Sequence, residues 1–190
     1  MENKLQATID IGSHSCILLI AAFDGSTSSP TEIVGTKDTE PAEVPAEAPA
    51  NSEVPAASSV APAAPRKILV PKLQKVEVCR LGEDIYEHGK ITPERIQELV
   101  NIMTKFRMDL HALGADLKAV AMTEAMRKAT NPDEVIEAVE KAVWVKPRVI
   151  TGEEEGKLTY RSVKEWHGEG NVTIDIGGGS TELSNGETTL

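Results

Sequence analysis

The chain has 190 residues, 40% hydrophobic but only 3% aromatic, so a core must be built mainly from Val, Ile, Leu, Ala and Met. Its net charge of −10 argues against sequence-independent binding to nucleic acid, which draws its affinity from Lys and Arg on phosphates. A polyanionic ligand is not excluded, because backbone N–H groups and a metal ion can hold phosphate inside an acidic protein.

In chain order, Met1–Lys4 lacks the basic opening and long apolar run of a signal peptide. The apolar stretch Cys16–Phe23 is too short to span a bilayer, so the chain reads as cytoplasmic, with no membrane partner. Leu5–Gly12 and Ser15–Phe23 read as two strands joined by a tight Gly12-Ser13-His14 turn. Cys16 and Cys79, both in apolar runs, make neither a disulfide framework nor a zinc site and read as small buried hydrophobes.

Between Asp38 and Pro65 lie six of the eleven prolines, nine alanines, five acids and no base. Such a stretch cannot bury enough apolar surface to offset its ordering entropy, so residues 26–66 are expected to be a disordered insert carrying about half the net charge. A tolerated loop insertion is the plainer reading, and a spacer or docking tail the functional one.

Lys67–Leu81 predicts one or two further strands. A long helix follows, capped by Thr92, started by Pro93, striped by Ile96, Leu99, Val100, Met103, Phe106, Leu110 and Leu113, and ended by Gly114. Leu117–Met122 predicts a strand, and Asn131-Pro132-Asp133-Glu134 a capping box opening a helix through Val143. Pro147–Thr151 reads as a short strand, Glu153–Trp166 as a helix, and Asn171–Gly177 and Ser180–Leu183 as strands, with a hairpin turn at Asn185-Gly186. Hairpin strands followed by alternating strands and helices predict an α/β protein with a mixed sheet flanked by helices.

One pattern occurs twice. Thr8-Ile9-Asp10-Ile11-Gly12-Ser13-His14-Ser15 and Thr173-Ile174-Asp175-Ile176-Gly177-Gly178-Gly179-Ser180-Thr181-Glu182 each deliver an Asp from an apolar strand, then a glycine turn, then hydroxyl residues. Glycine lets a backbone approach a ligand with no Cβ in the way, and successive N–H groups make a concavity for phosphate oxygens. Ser13, Ser15, Ser180 and Thr181 add hydroxyl donors, and Asp10 and Asp175 are placed to bind a hard cation. Either turn alone would read as an ordinary hairpin bend; two copies in the same order point to phosphate.

The two turns resemble the phosphate loops of the actin, hexokinase and heat-shock-chaperone ATPase superfamily. Within it the chain is similar to the exopolyphosphatase/guanosine pentaphosphate phosphohydrolase family. The closer match rests on residues 10–15, on Thr123-Glu124-Ala125-Met126-Arg127-Lys128-Ala129-Thr130-Asn131, on Ile150-Thr151-Gly152-Glu153-Glu154-Glu155-Gly156, and on residues 174–183. The resemblance implies a ribonuclease-H-like, actin-like first lobe over residues 1–25 and 67–170. Residues 171–190 would then be the opening hairpin of a second lobe that is otherwise absent.

It further implies that Glu155 is the base that prepares water to attack terminal phosphorus. Asp10, Asp175 and Glu182 would surround Mg²⁺, and Arg127 and the turn residues Gly12, Gly177, Gly178 and Gly179 would hold phosphate oxygens. From the residues alone, Glu153 and Glu154 read as first-turn charge favoured by the helix dipole, and Arg127 equally as a helix-cap or ion-pair arginine. His14 stands where the family has Asn; His14, His88, His111 and His167 show no ligand spacing. The implied function is release of orthophosphate from inorganic polyphosphate or guanosine penta/tetraphosphate. The alternatives are a non-catalytic polyphosphate- or alarmone-binding module, or a truncated fragment of such an enzyme. A lobe only begun would leave a face suited to self-association or to a separately encoded second lobe.

Overall fold

The structure, a computed structural model, describes residues 4–24 and 68–190. The Pro/Ala/Glu-rich segment at 26–66 lies outside the described residues. In β1 (Gln6–Ile11) period-two alternation buries Ala7, Ile9 and Ile11 and leaves Thr8 and Asp10 on the other face. β2 (Ser15–Asp24) returns antiparallel, pairing Cys16 with Ile11 and Ala21 with Gln6. β3 (Ile68–Val78) flanks β2.

On the other edge of β1 lies parallel β4 (Asp116–Met122), whose register slips by one residue between the Ala7–Leu117 and Thr8–Ala119 pairs. The two-residue β5 (Arg148–Val149) completes a mixed sheet of order β3-β2-β1-β4-β5.

Among the described residues five helices accompany the sheet: α1 (Leu81–His88), α2 (Pro93–Leu113), α3 (Glu124–Lys128), α4 (Pro132–Val143) and α5 (Gly152–His167). Helix α2 forms as its sequence predicts. Thr92 Oγ1 accepts the Arg95 N–H at 3.3 Å, and Gly114 ends the helix at φ 60°. Leu99, Met103 and Phe106 of α2 share one core with Ile9, Ile11, Leu18 and Ile20 of the sheet and Val135 and Val139 of α4. Each such fully buried side chain contributes about 1.5–3 kcal/mol of transfer free energy. Leu113, expected in the stripe, is 43% exposed, and the buried stripe ends at Leu110.

Three differences from the sequence reading stand out, the first two caused by contacts from distant parts of the chain. The predicted strand Lys67–Leu81 stops at Val78, because the N–H groups of Cys79 and Arg80 donate to the His14 carbonyl at 2.8 and 3.0 Å. Gly82 N–H donates to the Ser13 carbonyl at 2.8 Å, and with Arg80 at φ 50° the chain is captured by the first turn and enters α1. Asn131 occupies the N-cap of α4 without capping it. Its Oδ1 instead accepts the Ile91 N–H and its Nδ2 donates to the Ile91 carbonyl, both at 2.9 Å, although Nδ2 also reaches Glu134. The third difference is α3, five residues that the sequence reading does not contain.

Buried Asp84 joins α1 to α2. It accepts the Thr92 N–H at 2.8 Å, the Thr92 hydroxyl at 2.7 Å and Arg95 Nε at 3.4 Å. Burial alone would raise its pKa; the Thr92 bonds and Arg95 outweigh that and hold it below the usual carboxylate value.

β6 (Thr173–Ile176) and β7 (Thr181–Ser184) form their own antiparallel two-stranded sheet, with Asp175 opposite Glu182. The expected turn follows: Asn185 N–H donates to the Thr188 carbonyl at 3.2 Å, and Leu183 and Leu190 exchange both backbone bonds. Helix α5, capped by Thr151, packs against this hairpin. Gly156 leaves room for Thr189, and Gly186, at φ 91°, for the Tyr160 ring.

Candidate functional site

The two glycine turns are built alike and touch. Gly12 N–H donates to the Ser15 carbonyl and Gly177 N–H to the Ser180 carbonyl, each at 2.9 Å. A Cβ on Gly178 would come within 2.8 Å of His14 Cβ and 3.2 Å of its backbone nitrogen. One on Gly179 would overlap the Glu124 carboxylate and reach 3.0 Å from Ser13 Oγ. These glycines are therefore required by close approach of one turn to the other.

Arg127 draws the acidic residues together. Its Nη1 donates to Glu155 Oε2 at 2.9 Å and to the Ile150 carbonyl at 2.8 Å, and its Nη2 lies 3.8 Å from Glu182 Oε1. The Glu155 and Glu182 side chains are only 20% and 7% exposed. Thr151 caps α5 by accepting the Glu154 N–H at 3.1 Å, which sets Glu155 on the inward side of the first turn. Glu153 and Glu154 point outward instead, to Lys157 and to Arg148.

Burial raises the Glu155 pKa, and the charges of Glu182 and Asp10 push the same way against Arg127, which lowers it. Asp10 is also raised, by desolvation and then by the Asp175 charge. Asp10 as a whole is exposed, yet enough protein surrounds its carboxyl group to desolvate it. Asp175 accepts the Thr159 hydroxyl at 2.7 Å.

The structure thus gathers Asp10, Arg127, Glu155, Asp175 and Glu182, and sets Gly12, Ser13, Gly178 and Gly179 beside one another. Ser13 is buried and donates its hydroxyl to Glu124 Oε2 at 3.3 Å. Ser15 and Ser180 supply the carbonyls that close their turns, as described. Thr181 pairs with Ile176 and faces away from Glu182 on the hairpin. Among the described residues no group of three or more His, Cys, Asp or Glu side chains is arranged to hold a metal ion. Asp10 and Asp175, close enough to repel and without an ion pair among the described residues, still fit Mg²⁺, which takes one or two carboxylates and fills its shell with water and phosphate oxygens.

Sequence reasoning missed Thr159, Glu124, Lys128 and Arg80. Thr159 had a signal, since it follows Glu155 by four residues on the same helix face. Glu124 and Lys128 have the same spacing on α3 and form an ion pair.

A five-stranded mixed sheet flanked by helices, with one glycine turn joining β1 to β2 and another joining β6 to β7 of the separate hairpin, is an actin-like ATPase fold. The model of the Ppx/GppA phosphatase family matches residues 63–189. The chain belongs to that family. Exopolyphosphatase 1 of Mycobacterium leprae is 39% identical over 111 residues, covering 56% of this chain and 32% of the relative. Guanosine-5'-triphosphate,3'-diphosphate pyrophosphatase of Aeromonas hydrophila is 44% identical over 85 residues, 43% of this chain and 17% of the relative. The crystal structure of the Aquifex aeolicus Ppx/GppA family member superposes with a TM-score of 0.67 at 25% identity, over 98% of this chain and 49% of that one. The chain therefore spans about a third of the length of the exopolyphosphatase relative and about half that of the solved structure.

Proposed function

We propose that this chain carries the phosphate-gripping and water-activating half of a phosphohydrolase that releases terminal orthophosphate from inorganic polyphosphate or guanosine pentaphosphate. The observation that supports this most is the convergence of the two glycine turns beside Arg127 and a Glu155 turned inward. The mycobacterial exopolyphosphatase and the Aeromonas guanosine-5'-triphosphate,3'-diphosphate pyrophosphatase among its relatives support the substrate class. The hairpin β6–β7, a sheet of its own, supports reading residues 171–190 as the opening of a second lobe and 1–25 with 67–170 as the first. No helix among the described residues is long and apolar enough to cross a membrane.

In this reading the terminal phosphate lies against the N–H groups of both turns. Arg127 turns from Glu155 to a phosphate oxygen as substrate enters. Glu155, its pKa raised, is then the stronger base for a water placed in line with the phosphorus. Asp10 and Asp175 would hold Mg²⁺, with Glu182 beside them; when bound, the ion supplies charge neutralisation at the phosphate oxygens. Thr159 fixes the orientation of the Asp175 carboxylate.

A second reading, a non-catalytic binding module, draws support from one feature: Glu155 is engaged by Arg127 in the free protein. One assay separates the two. With Mg²⁺, the full chain is expected to release orthophosphate from long-chain polyphosphate, and Glu155→Gln to abolish release. Binding without release by either protein selects the module, and equal release by both removes Glu155 from the mechanism.

A further inference from the structure

A cavity of about 500 Å³ opens on the α1–α3 side of the paired turns. Its wall includes Ser13, His14, Gly178 and Gly179 from the two turns, with Arg80 and Lys128 as its cations. Arg127 is elsewhere: one residue before Lys128 on α3, it faces Glu155 and Ile150 instead. The cavity therefore adjoins the acidic cluster and does not contain it.

Three carboxylates also face this space, and their partners decide what it can take. Glu83 lies 3.9 Å from Arg80 and 3.7 Å from Arg95 on α2. Glu87 has a side chain 66% exposed, beside His88. Glu124 is different. Its side chain is 9% exposed, it accepts from Ser13 Oγ and from Lys128 Nζ, and it lies against Gly179. A buried carboxylate thus takes up two donors where the two turns meet, donors of the kind a phosphate oxygen seeks.

We propose that this cavity is a second phosphate subsite, which takes the phosphates following the terminal one in a phosphoanhydride chain. Lys128 and Arg80 are its ligands, and Glu124 is an internal anion that the incoming chain displaces from Lys128. The inference rests on the phosphohydrolase reading above, because it supposes the terminal phosphate to lie between the turns. It goes beyond that reading in making the protein prefer linked phosphates to orthophosphate through residues outside the repeated motif. The two partners of the Lys128–Glu124 pair then act in opposite directions. Loss of Lys128 weakens binding, while neutralising Glu124 strengthens it, a result that a purely structural role for the pair does not give.

The test is calorimetric titration of the full chain, without divalent cations so that no probe is hydrolysed, using inorganic tripolyphosphate and orthophosphate as probes. Wild type is expected to bind tripolyphosphate the more tightly. Lys128→Met, which keeps the aliphatic stem, should weaken tripolyphosphate about tenfold, the size of one charge-assisted hydrogen bond, and change orthophosphate less than twofold. Glu124→Gln should tighten tripolyphosphate several-fold; Arg80→Gln should weaken it and supplies a second variant if Glu124→Gln unfolds. Titration with guanosine tetraphosphate distinguishes the source: equal loss for both ligands in Lys128→Met supports a subsite for linked phosphates, and loss for the guanosine ligand alone overturns it. Unchanged tripolyphosphate affinity in Lys128→Met and Arg80→Gln, with wild-type binding intact, overturns the subsite and spares the phosphohydrolase reading. Absence of binding by wild type overturns both.

Discussion

Replacing Gly179 by alanine probes the contact between the turns with a single methyl group. Gly179 does not have a positive φ, so its backbone accepts an L-residue without strain. The cost comes from contact alone: the new Cβ would overlap the Glu124 carboxylate, 2.9 Å from its Cδ, and lie 3.0 Å from Ser13 Oγ. Glu124 is the end of a flexible side chain, so the cheapest relief is for it to swing out and surrender the Ser13 and Lys128 bonds. A hydrogen bond involving a charged group contributes about 1.5–3 kcal/mol. Alanine returns about 0.4–1 kcal/mol by restricting the unfolded chain, so Gly179→Ala should destabilise by about 1–2 kcal/mol. In a Glu124→Ala background the overlapping carboxylate is gone and only the 3.0 Å contact with the Ser13 hydroxyl remains, which can turn aside, so the same substitution should be close to neutral. Urea unfolding of the four proteins of this double-mutant cycle measures the coupling, expected at about 1.5–3 kcal/mol. Equal costs of Gly179→Ala in both backgrounds would refute the contact of the second turn with Glu124 of α3.

Asp84→Asn should lower stability by about 1.5–3 kcal/mol at neutral pH, judged by urea unfolding, through loss of the charge that Thr92 and Arg95 satisfy. Because the folded-state pKa of Asp84 is depressed, its contribution is complete above the unfolded value near 3.9 and is lost as pH falls through the lower folded value; the wild-type advantage over Asp84→Asn should fade in that acid window. Gly186→Ala should destabilise by more than about 1 kcal/mol in thermal unfolding, since φ is 91° and the Tyr160 ring leaves no space; an unchanged midpoint contradicts the packing of the hairpin on α5. If Glu155 is the base, orthophosphate release should fall on acidification at a pH above the ordinary glutamate pKa near 4.3, because the folded value is raised; an acid limb at or below that value contradicts the assignment.

What was legible in the sequence followed from local rules. Thr92, Pro93 and Gly114 bound α2, Thr151 starts α5, and the Asn185–Thr188 turn closes as expected. The repeated Asp-to-glycine pattern located both turns, because glycine there answers to a spatial need that leaves a trace in composition. Helices α1 and α3 were not legible, since the start of each is fixed by contacts from a distant segment. The carbonyls of Ser13 and His14, more than sixty residues away, hold the entry to α1, and the Thr123 N–H is fixed by the Ile11 carbonyl at 3.2 Å just before α3. Asn131 shows the same limit, with a capping signature spent on Ile91 from another segment. Within the site, the inward turn of Glu155 could be inferred only in part. The partners of Ser13 and of Arg127 depend on how α3 lies between the turns and α5, which no spacing in the sequence states.

The central claim is that water, prepared by Glu155, attacks a terminal phosphorus held between the two turns. Incubation of the chain with long-chain polyphosphate and Mg²⁺ in ¹⁸O-enriched water, followed by mass analysis of the orthophosphate, tests it directly. The account predicts one labelled oxygen in each orthophosphate released, and none released by Glu155→Gln. Unlabelled orthophosphate from wild type, or labelled orthophosphate released equally fast by the variant, would contradict it.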